Sequence, residues 1–222
     1  MMYTKRVLVI LVAISMLVVS CKRKKASLSG DEPVTVSDFI EAFEPVALPY
    51  RITDTLVNKK DKDSSLISHK IITQFIPDSI FHKAFGKDAK PKIYAIGKAG
   101  IEKKENYLLA KAISGTKKVV YIFCFDKGDN FSGAMQFLAP DQNPASQQSG
   151  LIDKNYTITK SIQRKNGDGN ISEGKDVYVF NAETKSFMLI MTDALDEKPA
   201  EVINPIDTIS KKNKFHSHHL NL

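Results

Sequence analysis

The 222-residue chain is 42% hydrophobic and 26% charged, a balance that excludes a disordered polymer and a membrane-embedded bundle. Its formal charge of +7 raises the question of nucleic acid. Six of the 32 basic residues (Lys5, Arg6, Lys22, Arg23, Lys24 and Lys25) lie at the N-terminus, however, and taking them away leaves 26 against 25 acids. A phosphate-binding face needs concentrated positive charge, and the remaining lysines are interspersed with acids, so no nucleic-acid partner is expected.

Lys5 and Arg6 precede the apolar run Val7–Val19, thirteen residues long. At 1.5 Å per residue such a run spans about 20 Å, short of the ~30 Å hydrocarbon core, so it reads as a signal-peptide core and not as a stable span. Val18-Val19-Ser20-Cys21 follows at once. This pattern resembles the lipobox of bacterial lipoproteins, with Val18 and Ser20 in the aliphatic and small positions and Val19 departing from the commoner small residue. The resemblance implies that residues 1–20 are removed and that Cys21 becomes the lipidated first residue. It would carry a thioether-linked diacylglycerol and usually a third chain on its amine. At about 0.8 kcal/mol per buried CH₂, two or three chains make a lasting membrane anchor. Lys22 stands where an acidic residue would retain a lipoprotein on the inner membrane, and the following residues lack the acidic patch linked to surface display. The expected location is therefore the cell envelope, at the periplasmic face of the outer membrane. The cluster at 22–25 suits anionic headgroups, at about 1 kcal/mol per basic residue.

Residues 21–36 are polar with few large hydrophobes and read as a flexible tether. A single β-rich domain is expected over 37–209, and a disordered or truncated tail over 210–222. Ser37 is the expected N-cap of a helix presenting Phe39, Ile40 and Phe43 before Pro45. Residues 48–54 read as extended, because Pro49 biases Leu48 away from helix, and 58–65 as a charged loop. The stretch 66–75 fits strand and helix equally. A second helix starts at Asp78 or Ser79, presents Ile80, Phe81, Ala84 and Phe85, and stops at Gly86.

From residue 92 the pattern turns to strands: 92–97, 107–113, 118–126, 133–138, 156–164, 175–181 and 186–192, separated by short turn clusters. Short connections between neighbours imply hairpins and an antiparallel sheet. Val119–Phe125 and Phe187–Met191 are apolar on both faces and are expected to be central and covered, whereas 156–162 alternates and should be half exposed. The expected class is α+β, a mostly antiparallel sheet with short N-terminal helices packed on it. No repeat supports the alternative, a propeller-like arrangement. Ile76-Pro77-Asp78-Ser79 and Ile96-Gly97-Lys98 resemble segments that recur in uncharacterised Bacteroidota lipoproteins, a resemblance that implies no activity and raises an early end to this chain.

The search for chemistry returns little. With Cys21 acylated, Cys124 has no partner, and its place in an apolar run marks it as a small buried hydrophobe. Ser114–Lys117 and Ser172–Lys175 have Ser-x-x-Lys spacing, but both fall in expected turns, where no lysine is desolvated. His216, His218 and His219 lie near the end with nothing to orient them. Asn166, Asp168 and Asn170 mimic the start of a calcium loop, yet Ile171 and Val177 stand where a glycine and a bidentate glutamate belong. Asp126 and Asp129 flank a hairpin turn, and His69 and His82 are lone histidines. Without Trp, a sugar-stacking platform lacks its usual material. No catalytic, cofactor or metal residue is therefore assigned, and Cys21 is the one site residue. The expected function is an anchored, non-enzymatic binding or structural module whose partners are the membrane, through the lipid on Cys21, and an envelope protein or polymer. The alternative is a periplasmic hydrolase acting on an envelope polymer, with acids that converge only in the fold. A cleft lined by converging Asp, Glu or His would favour the hydrolase, and an exposed sheet edge or apolar patch the binding module.

Overall fold

The computed structural model describes residues 27–100, 105–140, 143, 145–165 and 171–193. The signal segment, Cys21, the calcium-like turn at 166–170 and the C-terminal histidines lie outside the described residues.

Short capped helices come first. Helix α1 (Val36–Glu41) begins at Thr35 and not at Ser37. The reason is a reciprocal box: the Thr35 hydroxyl accepts from the Asp38 N–H, and the Asp38 carboxylate accepts from the Thr35 N–H. That box needs an acid three residues on, which Ser37 does not have. Strand β1 (Tyr50–Thr53) runs into helix α2 (Asp54–Asn58). The ambiguous stretch that follows is both things in turn: β2 (Leu66–Ile67), then α3 (His69–Phe75), divided where the Ser68 hydroxyl accepts from the Ile71 N–H. Helix α4 (Ser79–Phe85) ends at Gly86, as expected.

Eight further strands follow: β3 (Lys92–Gly100), β4 (Asn106–Ser114), β5 (Lys117–Phe125), β6 (Phe131–Leu138), β7 (Ser146–Ile152), β8 (Ile158–Lys165), β9 (Ile171–Asn181) and β10 (Ser186–Asp193). They form two five-stranded antiparallel sheets where the sequence suggested one. Sheet 1 runs β2-β3-β4-β5-β6 and sheet 2 runs β1-β7-β8-β9-β10. Strand β5 shows why two are needed. Val119, Tyr121, Phe123 and Phe125 pack with α1, α3 and α4, while Val120, Ile122 and Cys124 pack against sheet 2. A strand apolar on both faces requires a cover on each, so the layers are helices, sheet 1, sheet 2. The fold is mostly antiparallel β with a few short helices.

The sheets meet closely. A Cβ at Gly150 in β7 would lie 2.5 Å from the Phe137 ring of β6, so only glycine lets that ring seat against the backbone.

Two further expectations need correcting. The part of the expected tether from Leu28 on belongs to the folded domain, because Leu28 and Val34 pack on the helix-side core and the Ser68 N–H donates to the Leu28 carbonyl at 2.9 Å. Phe187–Met191 is not central. Strand β10 is an edge of sheet 2, with Met188, Leu189, Ile190 and Met191 between 43% and 57% exposed. Phe187 alone of these five joins the core, against Tyr107 and Phe180.

Candidate functional site

Strand β10 carries, in one run, four of the seven exposed large hydrophobic side chains among the described residues. Its register with β9 shifts between Leu189 and Met191, leaving Ile190 unpaired in a bulge. Phe187 pairs with Phe180 and Leu189 with Tyr178, on the face towards sheet 1. Met188 and Met191 take the opposite face. One side of β10 is hydrogen-bonded to β9, and no described strand pairs with the other. From Phe187 to Met191 the strand carries no charge and no proline. Edge strands ordinarily carry such residues, because a bare edge is a template for another strand.

Next to β10 the inner face of sheet 2 opens into a groove of about 290 Å³, bordered by Leu138, Gln148, Lys160, Ile162, Asp176 and Thr192. The Lys160 ammonium lies 5.7 Å from the centre of the Tyr178 ring. Burial pushes its pKa down, and the nearby Asp176 charge opposes that. The Asp176 carboxylate accepts from the Thr192 hydroxyl at 2.7 Å and from the Tyr178 hydroxyl at 3.3 Å. It is thus a satisfied acid that ties β10 back to β9. The volume is at the small end of the range for ligand pockets.

The outer face of sheet 2 is polar. Arg51, Gln147, Ser149, Thr159, Ser161 and Gln163 line a shallow hollow of about 790 Å³, and the Arg51 guanidinium donates to the Ser149 hydroxyl at 3.1 Å.

The described residues among those considered for chemistry take the following places. Ser114 and Lys117 face each other across the β4–β5 hairpin, and the Lys117 ammonium donates to the Ala84 carbonyl at the end of α4. Ser172 and Lys175 are both in β9, where Lys175 pairs with Glu173 at 3.4 Å. Asp126 shapes the β5–β6 turn by accepting from the Asn130 and Gly128 N–H groups at 2.9 and 2.8 Å. Those backbone bonds, the one from Asn130 foremost, hold its carboxyl below the usual carboxylate range. Asp129 occupies the left-handed position of the same turn, at φ 61°. His69 opens α3, and His82 lies 3.6 Å from Asp78 one turn earlier. Cys124 is fully buried, and burial pushes its thiol up to about 12, leaving it protonated at neutral pH. Among the described residues no three His, Cys, Asp or Glu side chains gather at metal-binding distance.

Sequence reasoning missed one charged feature inside the domain. Lys111, 2% exposed in β4, pairs with Asp61 at 2.7 Å and donates to the Val57 and Lys59 carbonyls at 2.9 and 3.0 Å. It closes the C-terminal end of α2 and pins the charged loop to the sheet. The available signal was a lone lysine in the apolar stretch Tyr107–Ile113. Fold and surface together define a two-sheet, mostly antiparallel protein whose strand β10 exposes apolar side chains at an edge that no described strand covers. No protein-family model, curated protein or solved structure matches the chain.

Proposed function

We propose that this chain is a lipid-anchored protein of the bacterial cell envelope that holds an extended segment of another envelope protein along β10, without catalysing a reaction on it. The bare apolar edge at Met188–Met191 carries the reading. Strand addition takes affinity from main-chain hydrogen bonds and selectivity from alternating side chains. Here the outer ladder groups of β10, which no described strand takes up, supply the first, while Leu189 on one face and Met188 and Met191 on the other supply the second. The unpaired Ile190 adds an apolar contact. The Lys5-Arg6, Val7–Val19 and Val18–Cys21 pattern supports anchoring through acylated Cys21, with the domain at the periplasmic face of the outer membrane. No observation favours the hydrolase over this reading, since Asp176, the acid best placed in the groove, is already engaged by two hydroxyls.

The test is a pull-down from detergent-solubilised envelope, using the natively lipidated chain beside an Ile190→Lys variant. A reproducible partner captured by the first and lost by the second supports the reading. A partner retained by Ile190→Lys, or no reproducible partner at all, overturns it. Cell fractionation of Cys21→Ser tests the anchor independently: a variant still membrane-bound at full length would sink the lipoprotein assignment.

A further inference from the structure

Resting on the lipid-anchor reading, the geometry points to one orientation of the domain at the bilayer. We infer that the corner formed by Leu28, α2, the loop 59–65 and β2 docks on an anionic lipid surface, leaving β10 turned away from the membrane.

The first argument is chain length. Leu28 is held in the fold by the Ser68 N–H, and the Lys70 ammonium reaches the Gly30 carbonyl at 3.4 Å, so the chain is docked from this point on. Six residues lie between Cys21 and Leu28, seven steps of the chain. Fully extended they reach at most about 25 Å, whereas a compact domain of roughly 165 residues is about 40 Å across. An acylated Cys21 therefore keeps the Leu28 side of the domain within about 25 Å of the headgroups, which favours that side for contact.

The second argument is what that side carries. Ser27–Ser29 border a broad hollow of about 890 Å³ that is also lined by Leu56, Lys59, Lys60, Lys62 and Leu66. Leu56 and Leu66 are 44% and 39% exposed, and the three lysines are fully on the surface. The loop reads as charge-balanced in sequence, but the fold changes that: Asp61 is drawn inward to buried Lys111 at 2.7 Å. Of the lining acids Glu44, Asp61 and Asp63, Asp61 is thus neutralised by Lys111, which leaves three lysines against Glu44 and Asp63. Lys22, Arg23, Lys24 and Lys25 precede Leu28 in the chain by three to six positions. Ammonium groups beside exposed leucines suit the boundary of an anionic bilayer, where the stems lie among lipid and the heads meet phosphate.

The third argument is distance. Strands β2 and β6 are opposite edges of sheet 1, four strand spacings or about 19 Å apart. β10 lies beside β6: a Cβ at Gly133 in β6 would come within 2.7 Å of the Lys185 carbonyl, just before β10. Seating the β2 corner on lipid thus presents the β10 edge outward.

The test uses the full acylated chain reconstituted in vesicles of phosphatidylethanolamine and phosphatidylglycerol, with a thiol-linked fluorophore at Leu66→Cys, or at Leu56→Cys should the first not fold. Leu189→Cys carries the same fluorophore as the comparison, and buried Cys124 stays unlabelled. Nitroxide-headgroup lipid should quench position 66 several-fold more than position 189. The triple variant Lys59→Gln, Lys60→Gln, Lys62→Gln should lose most of that difference while still floating with the vesicles. Equal quenching at both positions, or no change in the triple variant, overturns the orientation. Failure to float, with an unmodified mass at Cys21, sinks the anchor and takes the orientation with it.

Discussion

Strands β5 and β10 have nearly the same local character, an unbroken apolar run bounded by turn residues, yet they meet opposite fates. In β5, Val119 to Phe125 are all buried, with helices on one side and sheet 2 on the other. In β10, Phe187 alone of the apolar run reaches the core, and the next four residues face solvent. Strand apolarity creates a demand for cover, and what packs across the strand decides whether the demand is met. Where it is met inside the domain the strand is structural. Where it is left open the strand is available to a partner, which is the role proposed for β10.

The sharpest way to break this contrast is to perturb each side and compare. Phe123→Ala in β5 should cost about 3–5 kcal/mol, the range for emptying a buried aromatic site, as read by denaturant unfolding. Lys111→Met comes next. It strands Asp61 and two carbonyls, and an expected loss of about 3 kcal/mol would show that the pin between the 59–65 loop and sheet 1 matters to the whole domain. Gly150→Ala sharpens the picture of how the sheets are joined: with the new methyl driven into Phe137, about 1–3 kcal/mol should be lost.

A pH experiment probes the β5 core without large cavities. The folded state keeps the Cys124 thiol protonated up to about 12, whereas the unfolded chain releases that proton near 9. Stability from this group is intact below pH 9 and falls as pH rises towards 12. Tyr121, also pushed up to about 12 by burial, adds to the decline from its ordinary 10.0. Thermal midpoints should drop across that window, with a shallower slope in Cys124→Ala, and a thiol reagent should leave the native protein unlabelled at neutral pH. Smallest of all should be the effect of Leu189→Ala, within about 0.5 kcal/mol of wild type. A loss comparable to that of Phe123→Ala would show that β10 is part of the core and would remove the basis of the proposed binding edge.

Much of the helical layer was legible locally. Ser79–Phe85 could be placed from its spacing and its following glycine, and α1 was displaced only in its cap, because the Thr35–Asp38 box outcompetes Ser37. β7 was not legible. Ser146-Gln-Gln-Ser-Gly-Leu-Ile152 has little β character, and it is a strand because β1 and β8 pair with it on either side. The candidate site was legible only in composition. Phe187–Met191 stood out as apolar, but the bulge at Ile190 and the absence of a described strand beyond β10 arise from pairings far apart in the chain.

From the sequence by itself came the mostly antiparallel character, the capped helices, the inert placement of Cys124 and the N-terminal pattern on which the proposed anchor rests. All of these depend on residues close together in the chain. The tertiary structure alone decided that there are two sheets, that Asp61 turns inward to Lys111, and that β5 is covered while β10 exposes its apolar side chains. Burial depends on which elements pack across a strand, and the strand's own residues do not encode those neighbours.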